Sequence, residues 1–171
     1  MSEHNSSLRH AVFDLDGTCV DTQALVRWAY AQHGVTMPDD AWGRPWQEWL
    51  DDAEVHDKKT QTYLYALKQY PPRILPPGHL AQRMVREGIA DVWFLTGASY
   101  EAAHAILKHL GVPADLLLGW GVRTHEKVQL LNSLEGNVEY YDDDPVALTA
   151  ITLGCEPHVK AYFWKELSWT L

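Results

Sequence analysis

Short apolar runs alternate with amphipathic stretches along most of this chain, and that alternation constrains the possible folds more than any other feature. Runs typical of buried strands occur at residues 11–13, 92–95, 116–118, 138–141 and 159–163. Helices are predicted from residue 21 or 22 to about 33, and over residues 44–53, 55–69, 78–87, 99–110, 124–134 and 145–153. Because strands that are joined by helical crossovers pair in parallel, the pattern predicts an α/β fold of three layers, with a Rossmann-like parallel sheet between helices.

Two carboxylates directly follow the first apolar run. Asp14 and Asp16 are two residues apart, so their side chains point to the same face of an extended chain, and Gly17 allows a turn after them. Neighbouring carboxylates do not ionise equally easily, so one can act as a nucleophile while the other carries a proton. The alternative is an acidic turn that only ends the strand. A calcium loop of the helix-loop-helix kind fits poorly, because its glycine comes later in the acidic pattern.

Polar residues also follow two other predicted strands. Thr96 and Gly97 come directly after the second strand, and Asp142 and Asp143 come after the fourth. Ligands of open parallel sheets bind beyond the carboxyl ends of the strands, so these residues are expected to share one edge with the first acidic pair. Each has a structural alternative: the Thr-Gly pair as a helix cap with a turn, and one of the acids as an N-cap before Pro145.

The acidic residues at this edge predict a metal site. Asp14, Asp16, Asp142 and Asp143 would repel one another unless a divalent cation lay between them. Magnesium is the expected ion, because the donors are hard oxygen atoms and no soft ligand accompanies them. Lys127 lies in the first turn of its predicted helix, where the helix dipole disfavours a lysine, and this placement indicates a functional role. The alternative is an ordinary solvated lysine on the surface.

Composition restricts the class of protein. With 171 residues, of which 46% are hydrophobic, the chain is long enough for one well-packed domain and a small insertion. The first ten residues contain no apolar run such as a secretory signal would have, and no uninterrupted apolar segment is long enough to span a bilayer. A cytoplasmic protein is therefore expected. Two cysteines, Cys19 and Cys155, without metal-ligand spacing fit a reducing compartment. The net charge of −9 disfavours a broad basic surface for long nucleic acids.

Four motifs occur in one order along the chain: Phe-Asp-Leu-Asp-Gly-Thr at 13–18, Phe-Leu-Thr-Gly at 94–97, Lys127, and Tyr-Tyr-Asp-Asp at 140–143. In this order they resemble the haloacid dehalogenase-like (HAD) superfamily over essentially the whole chain apart from a helical insertion. The resemblance implies the strand order 5-4-1-2-3 and an insertion after the first strand that acts as a cap. It divides the chain into a core of residues 1–22 and 71–171 and a small cap of residues 23–70. It also implies a phosphatase rather than a dehalogenase, because Asp16 is present.

A mechanism follows from the same resemblance. Asp14 attacks phosphorus and forms an aspartyl-phosphate, and Asp16 protonates the leaving oxygen and then activates water. Thr96, Gly97 and Lys127 hold the oxygen atoms of the transferred phosphoryl group.

The resemblance also implies the metal ligands. Magnesium would be held by Asp14, the backbone carbonyl of Asp16 and Asp143, with Asp142 supporting the metal from behind. The sequence does not separate the roles of Asp142 and Asp143.

The insertion is rich in aromatic residues, among them Trp42, Trp46, Trp49, Tyr63 and Tyr65. Most of these rings are expected to pack the small cap, and the alternative is that one of them stacks on a nucleobase. The predicted function is hydrolysis of a small phosphorylated metabolite or nucleotide. The alternatives are a phosphatase that processes polynucleotide ends and a non-catalytic binding or regulatory module on the same fold.

Overall fold

Five parallel strands form one sheet in the computed structural model, which describes residues 9–169. The strands are β1 (Arg9–Phe13), β2 (Asp91–Leu95), β3 (Leu117–Gly119), β4 (Asn137–Asp142) and β5 (Val159–Phe163). Their spatial order is β3-β2-β1-β4-β5, which is the expected order 5-4-1-2-3 read from the opposite edge. The predicted Rossmann-like sheet is therefore confirmed, and β1 lies at its centre.

Six α-helices accompany the strands within the described range. They are α1 (Gln23–Ala31), α2 (Ala53–Gln69), α3 (Pro76–Glu87), α4 (Tyr100–Leu110), α5 (Thr124–Ser133) and α6 (Pro145–Gly154). Side-chain oxygens of Asp52, Ser99 and Asp144 cap three of them by accepting a hydrogen bond from a backbone N–H of the first turn. Between residues 9 and 169, four single 3₁₀ turns occur at Asp39–Ala41, Trp46–Glu48, Ala114–Leu116 and Trp164–Glu166.

The predicted helix over residues 44–53 is wrong. Trp46–Glu48 forms one 3₁₀ turn there, and of the other residues in this range only Ala53, the first residue of α2, is helical. Gly43 has a φ of +83°, and Pro45 disfavours helical backbone at the residue before it, so no helix passes through this stretch. Trp42 therefore lies on a loop and Trp46 in a single 3₁₀ turn.

The start of one helix also differs from its prediction. Helix α3, predicted from residue 78, begins two residues earlier, and Pro76 and Pro77 occupy its first turn. Proline is tolerated at this position because the first-turn N–H groups have no partner within the helix. Helix α5 begins at the predicted Thr124, with Arg123 at the N-cap position, and the backbone N–H of Arg123 donates to the Glu126 side chain over 3.3 Å.

Helices cover both faces of the sheet. On one face, Phe13 and Phe94 pack in a hydrophobic cluster with residues of α1 to α4, such as Ala29, Leu67 and Ile106. On the other face, Val12, Leu95 and Tyr140 pack against Leu131, Leu148 and Ile151 of α5 and α6. Both faces of the central strand are therefore buried, as a parallel sheet requires.

The aromatic insertion shares part of the main core. Tyr30, Met37 and Ala41 form a small cluster of their own, with Trp42 and Trp49 packed against it. In contrast, Ala29, Tyr63 and Leu67 belong to the large cluster beneath the sheet. The helices α1 and α2 are thus anchored on the sheet domain, and the loop between them packs against α1.

No helix within residues 9–169 has both the length and the apolar character needed to cross a bilayer. The expected absence of a secretory signal concerns residues that lie mostly outside the described range.

Candidate active site

The backbone after β1 forms a tight turn that carries both aspartates of the first motif. The N–H of Asp14 donates to the carbonyl of Tyr141 over 3.0 Å and extends the pairing with β4. The chain then turns back, with the N–H of Gly17 donating to the carbonyl of Val20 over 2.8 Å. Gly17 has a φ of +77°, and a Cβ at this position would overlap with the Asp143 carboxylate. Glycine is therefore required here for both conformation and space.

Three carboxylates meet at the carboxyl ends of β1 and β4. One oxygen each of Asp14, Asp142 and Asp143 lies within 4.8 Å of the others, and all three side chains are largely buried. Burial raises the pKa of Asp14 well above its usual value, although Lys127 opposes this shift. Burial together with the charge of Asp142 raises the pKa of Asp143 to about 6. Such a group of hard, mutually repelling oxygen donors fits a divalent cation such as magnesium.

Lys127 reaches this group from α5. Its ammonium donates to Asp14 Oδ1 over 3.1 Å and to the Tyr140 hydroxyl over 3.0 Å, and it lies 3.7 Å from Asp142 Oδ2. Burial lowers the pKa of Lys127, but the carboxylates of Asp14 and Asp142 outweigh that effect and hold it above the usual value. The lysine that the sequence singled out is thus a buried cation against the first aspartate.

The structure distinguishes Asp142 from Asp143. Asp142 Oδ1 accepts the backbone N–H groups of Asp143 and Asp144, at 2.7 and 3.0 Å, and its Oδ2 accepts the Tyr140 hydroxyl at 2.5 Å. Asp143 accepts the indole N–H of Trp42 at 3.1 Å, and its other oxygen has only a long contact of 3.5 Å with Thr18. Asp143 therefore has more capacity left for a further ligand than Asp142.

Asp16 lies apart from the three-carboxylate group. Its Oδ1 accepts the Thr22 hydroxyl at 2.6 Å and the Tyr63 hydroxyl at 2.9 Å. Both donors hold the same oxygen, so Oδ2 remains available to a ligand in the cavity. The sequence predicts a packing role for most rings of the insertion, and their spacing does not show that Tyr63 is the one that contacts Asp16.

Thr96 and Gly97 follow β2 at the same edge of the sheet. The backbone N–H of Thr96 donates to the Gly119 carbonyl at 3.1 Å, and its hydroxyl accepts the N–H of Ala98 at 3.0 Å. Both residues line the same cavity as Asp14 and Lys127. The ends of β1, β2 and β4 and the start of α5 thus bring all seven predicted site residues to one place: Asp14, Asp16, Thr96, Gly97, Lys127, Asp142 and Asp143.

A cavity of about 490 Å³ lies between this edge and the aromatic insertion. Trp46 stacks on His56 with 4.3 Å between ring centroids, and burial lowers the pKa of His56 to about 4, so this ring is neutral. Trp49 meets the Tyr30 ring edge-on at 4.9 Å. The volume is within the range of small-molecule sites, and the insertion supplies most of the aromatic lining.

Solved structures share this architecture. CbbY from Rhodobacter sphaeroides in complex with phosphate matches with a TM-score of 0.70 and 18% identity, over 90% of this chain and 84% of that one. A HAD hydrolase of family IA, variant 3, from Entamoeba histolytica matches with a TM-score of 0.66 and 11% identity, over 90% and 82% of the two chains. The fold is HAD-like. No protein-family model matches the chain, and no curated protein matches its sequence.

The HAD-like fold accounts for the convergence of the motifs, and a further contact to them comes from the segment after β5. The indole N–H of Trp164, just after β5, donates to the Gly17 carbonyl over 3.0 Å. Trp164 therefore supports the turn that carries Asp14 and Asp16. No motif signals this role, because the contact joins residues 147 positions apart.

Proposed function

We propose that this chain is a magnesium-dependent phosphomonoester hydrolase that acts through an aspartyl-phosphate. The observation that carries the proposal is the position of Asp14, whose carboxylate accepts a hydrogen bond from the Lys127 ammonium and lies within 4.8 Å of two further carboxylates. A nucleophile with a cation beside it and a metal-binding group next to it suits attack on an anionic phosphoryl group. The HAD-like fold, which this chain shares with a protein solved in complex with phosphate, supports the same chemistry.

The residues divide the reaction into two steps. A carboxylate oxygen of Asp14 forms a bond to phosphorus as the bond to the leaving oxygen breaks, and Asp16 transfers its proton to that oxygen. Asp16 then takes a proton from water, the water oxygen bonds to phosphorus, and the Asp14 carboxylate leaves. Lys127, Thr96 and the backbone at Gly97 hold the other phosphoryl oxygens during both steps.

The metal ligands in this proposal are Asp14, Asp143 and the backbone carbonyl of Asp16. Asp143 takes the direct role because both oxygens of Asp142 already accept hydrogen bonds within the protein. Asp142 instead orients the loop that carries Asp143. Magnesium bound there would offset the repulsion between the nucleophile and the phosphoryl group.

The substrate is a small phosphorylated molecule in this proposal. In this proposal the chain forms a core of residues 1–22 and 71–171 and a cap of residues 23–70. The aromatic residues that line the cavity belong to the cap. A cavity of about 490 Å³ bounded by Trp42 and Trp46 holds a metabolite or a mononucleotide rather than the end of a duplex.

The test is release of inorganic phosphate from a panel of phosphate esters, with magnesium and with excess chelator. We expect turnover that depends on magnesium and falls at least a thousandfold in Asp14→Asn, because the amide is a poor nucleophile. Circular dichroism of that variant serves as the folding control. A variant that keeps a tenth of the wild-type rate, or full activity in chelator, would contradict the proposal.

A further inference from the structure

A lysine of the insertion faces the same cavity as the acidic site. Lys59, on α2, lines the cavity together with Asp14, Asp16 and Lys127. Its ammonium lies 4.8 Å from the centre of the Tyr30 ring and 5.7 Å from that of Tyr63. The side chain is half-buried, and both of these rings also line the cavity.

Lys59 differs from two other cations of the cavity in its partners. The ammonium of Lys127 pairs with Asp14, and the guanidinium of Arg44 pairs with Asp40 and Glu48. Within residues 9–169, the Lys59 ammonium forms no such pair with a carboxylate, and aromatic faces are its neighbours. Burial lowers the pKa of Lys59 to about 8, with the charge of Asp16 only partly opposing it. A bound anion would compensate for this desolvation.

Tyr63 fixes the position of Lys59 relative to the proposed chemistry. The hydroxyl of Tyr63 donates to Asp16 over 2.9 Å, while the ring of the same residue faces Lys59. Asp16 is the proton donor to the leaving oxygen in the proposed function. The leaving group therefore begins near the hydroxyl edge of this ring, and a group bound to Lys59 would lie over the face of the same ring.

We propose that Lys59 binds a second anionic group, a carboxylate or a phosphate, which the leaving group of the substrate carries within a few bonds of the ester oxygen. This inference rests on the proposed function and narrows its substrate class to phosphate esters that bear another negative charge. The phosphoryl end of the cavity is lined by Asp14, Asp16, Asp142 and Asp143, which repel a distant anion. The Lys59 ammonium, on the part of the cavity wall that α2 supplies, offsets this repulsion for such a substrate.

Three substrates with the same carbon chain test this inference. Propyl phosphate ends in a methyl group, 3-phosphooxypropanoate ends in a carboxylate, and propane-1,3-diol bisphosphate ends in a second phosphate. The measured quantity is kcat/KM of each ester with a second anionic group, which we call an anionic ester, divided by kcat/KM of propyl phosphate. We expect a ratio of about ten or more for at least one anionic ester, because a charge-assisted hydrogen bond contributes roughly that factor. The ester with the larger ratio identifies the anion.

Lys59→Met removes the charge and keeps the length of the side chain. We expect the ratio to fall to within about twofold of one. Lys58→Met is the matched control, because Lys58 is the next residue of α2 and its ammonium pairs with Glu54 over 2.9 Å. Arg123→Gln tests the exposed cation that lines the cavity from the start of α5. Both control variants should keep the wild-type ratio.

A wild-type ratio near one, a ratio that survives in Lys59→Met, or a ratio that is lost only in Arg123→Gln would overturn the inference. Binding of the same three compounds to Asp14→Asn, measured by calorimetry with magnesium, separates this inference from the proposed function. Preferential binding of an anionic ester that requires Lys59 supports the inference even where the wild-type protein hydrolyses none of the three. Hydrolysis of all three at equal kcat/KM supports the proposed function and overturns the inference.

Discussion

Replacing Tyr63 with Phe tests how the insertion controls the proposed proton donor. Tyr63 is 4% exposed, and Phe keeps its ring in the core while removing the hydroxyl that donates to Asp16. Thr22 remains as a donor to the same oxygen at 2.6 Å, so Asp16 keeps a partner but loses one of two constraints on its orientation. We expect a folded protein whose Asp16 side chain is less well oriented toward the leaving oxygen.

The size of the effect follows from the hydrogen bond that is lost. A bond to a charged group contributes about 1.5 to 3 kcal/mol, and the remaining Thr22 contact favours the lower end. A loss of about 1.5 kcal/mol lowers the melting temperature of a chain of this size by roughly 3 to 6 °C. If the same energy acts in the transition state, the rate of the proton-dependent step falls about tenfold.

The assay compares two leaving groups. An alkyl alcohol needs a proton to leave, whereas nitrophenolate leaves as a stable anion. Because Asp16 also acts on water in the second step, the quantity compared is kcat/KM, which reports only the step in which the leaving group departs. Tyr63→Phe should lower kcat/KM for propyl phosphate about tenfold and change kcat/KM for p-nitrophenyl phosphate by less than about twofold. Tyr65→Phe is the matched control, because Tyr65 lies on the same helix and is 66% exposed. An equal fall in kcat/KM for both substrates would refute the positioning role of Tyr63, because it would indicate only a change in the shape of the cavity.

Further predictions concern the metal, the acidic group and the C-terminal turn. Magnesium should support turnover and calcium should inhibit it, because calcium accepts more and longer oxygen contacts and would occupy the nucleophile; a titration of both ions measures this. Asp143→Asn should raise the magnesium concentration at half-maximal activity at least tenfold, whereas Asp142→Asn should mainly lower the melting temperature. In metal-free protein, the Asp143 carboxyl binds more protons in the folded state than in the unfolded chain between about pH 4 and 6. Lowering the pH from about 6 to about 4 should therefore stabilise the wild type relative to Asp143→Asn, and denaturant unfolding of both proteins at these two pH values measures the difference. Trp164→Phe removes a donor to the Gly17 carbonyl and should lower kcat about tenfold, with little change in KM and a folded circular dichroism spectrum.

The strand-end residues could be predicted from sequence because parallel pairing leaves little freedom. Once the runs before Asp14, Thr96 and Asp142 are assigned to neighbouring parallel strands, their carboxyl ends must meet at one edge. The local signals for the sheet and for most helices agree with the fold, so the predicted architecture is confirmed. Lys127 is brought to the same edge by the helix that follows β3.

The contacts from the insertion could not be predicted in the same way. Trp42 and Tyr63 donate to Asp143 and Asp16 from positions 101 and 47 residues away, and no local pattern encodes such pairings. The sequence predicts a helix over residues 44–53, but Gly43 and Pro45 produce a loop instead. The same loop carries the Trp42 indole to the acidic group.

The same contacts that close the cavity also orient its carboxylates. Trp42 donates to Asp143, and at the next residue, Gly43, a Cβ would lie 2.8 Å from a carboxylate oxygen of Asp144, so the loop packs tightly against the acidic strand end. Tyr63 donates to Asp16 from the other side of the insertion. A ligand too large for the cavity would have to displace this loop, and that displacement would remove the indole donor from Asp143. In the proposed reaction, a substrate too large for the cavity would therefore have a lower kcat as well as a higher KM, because displacing the loop would also disturb the residues that perform the chemistry.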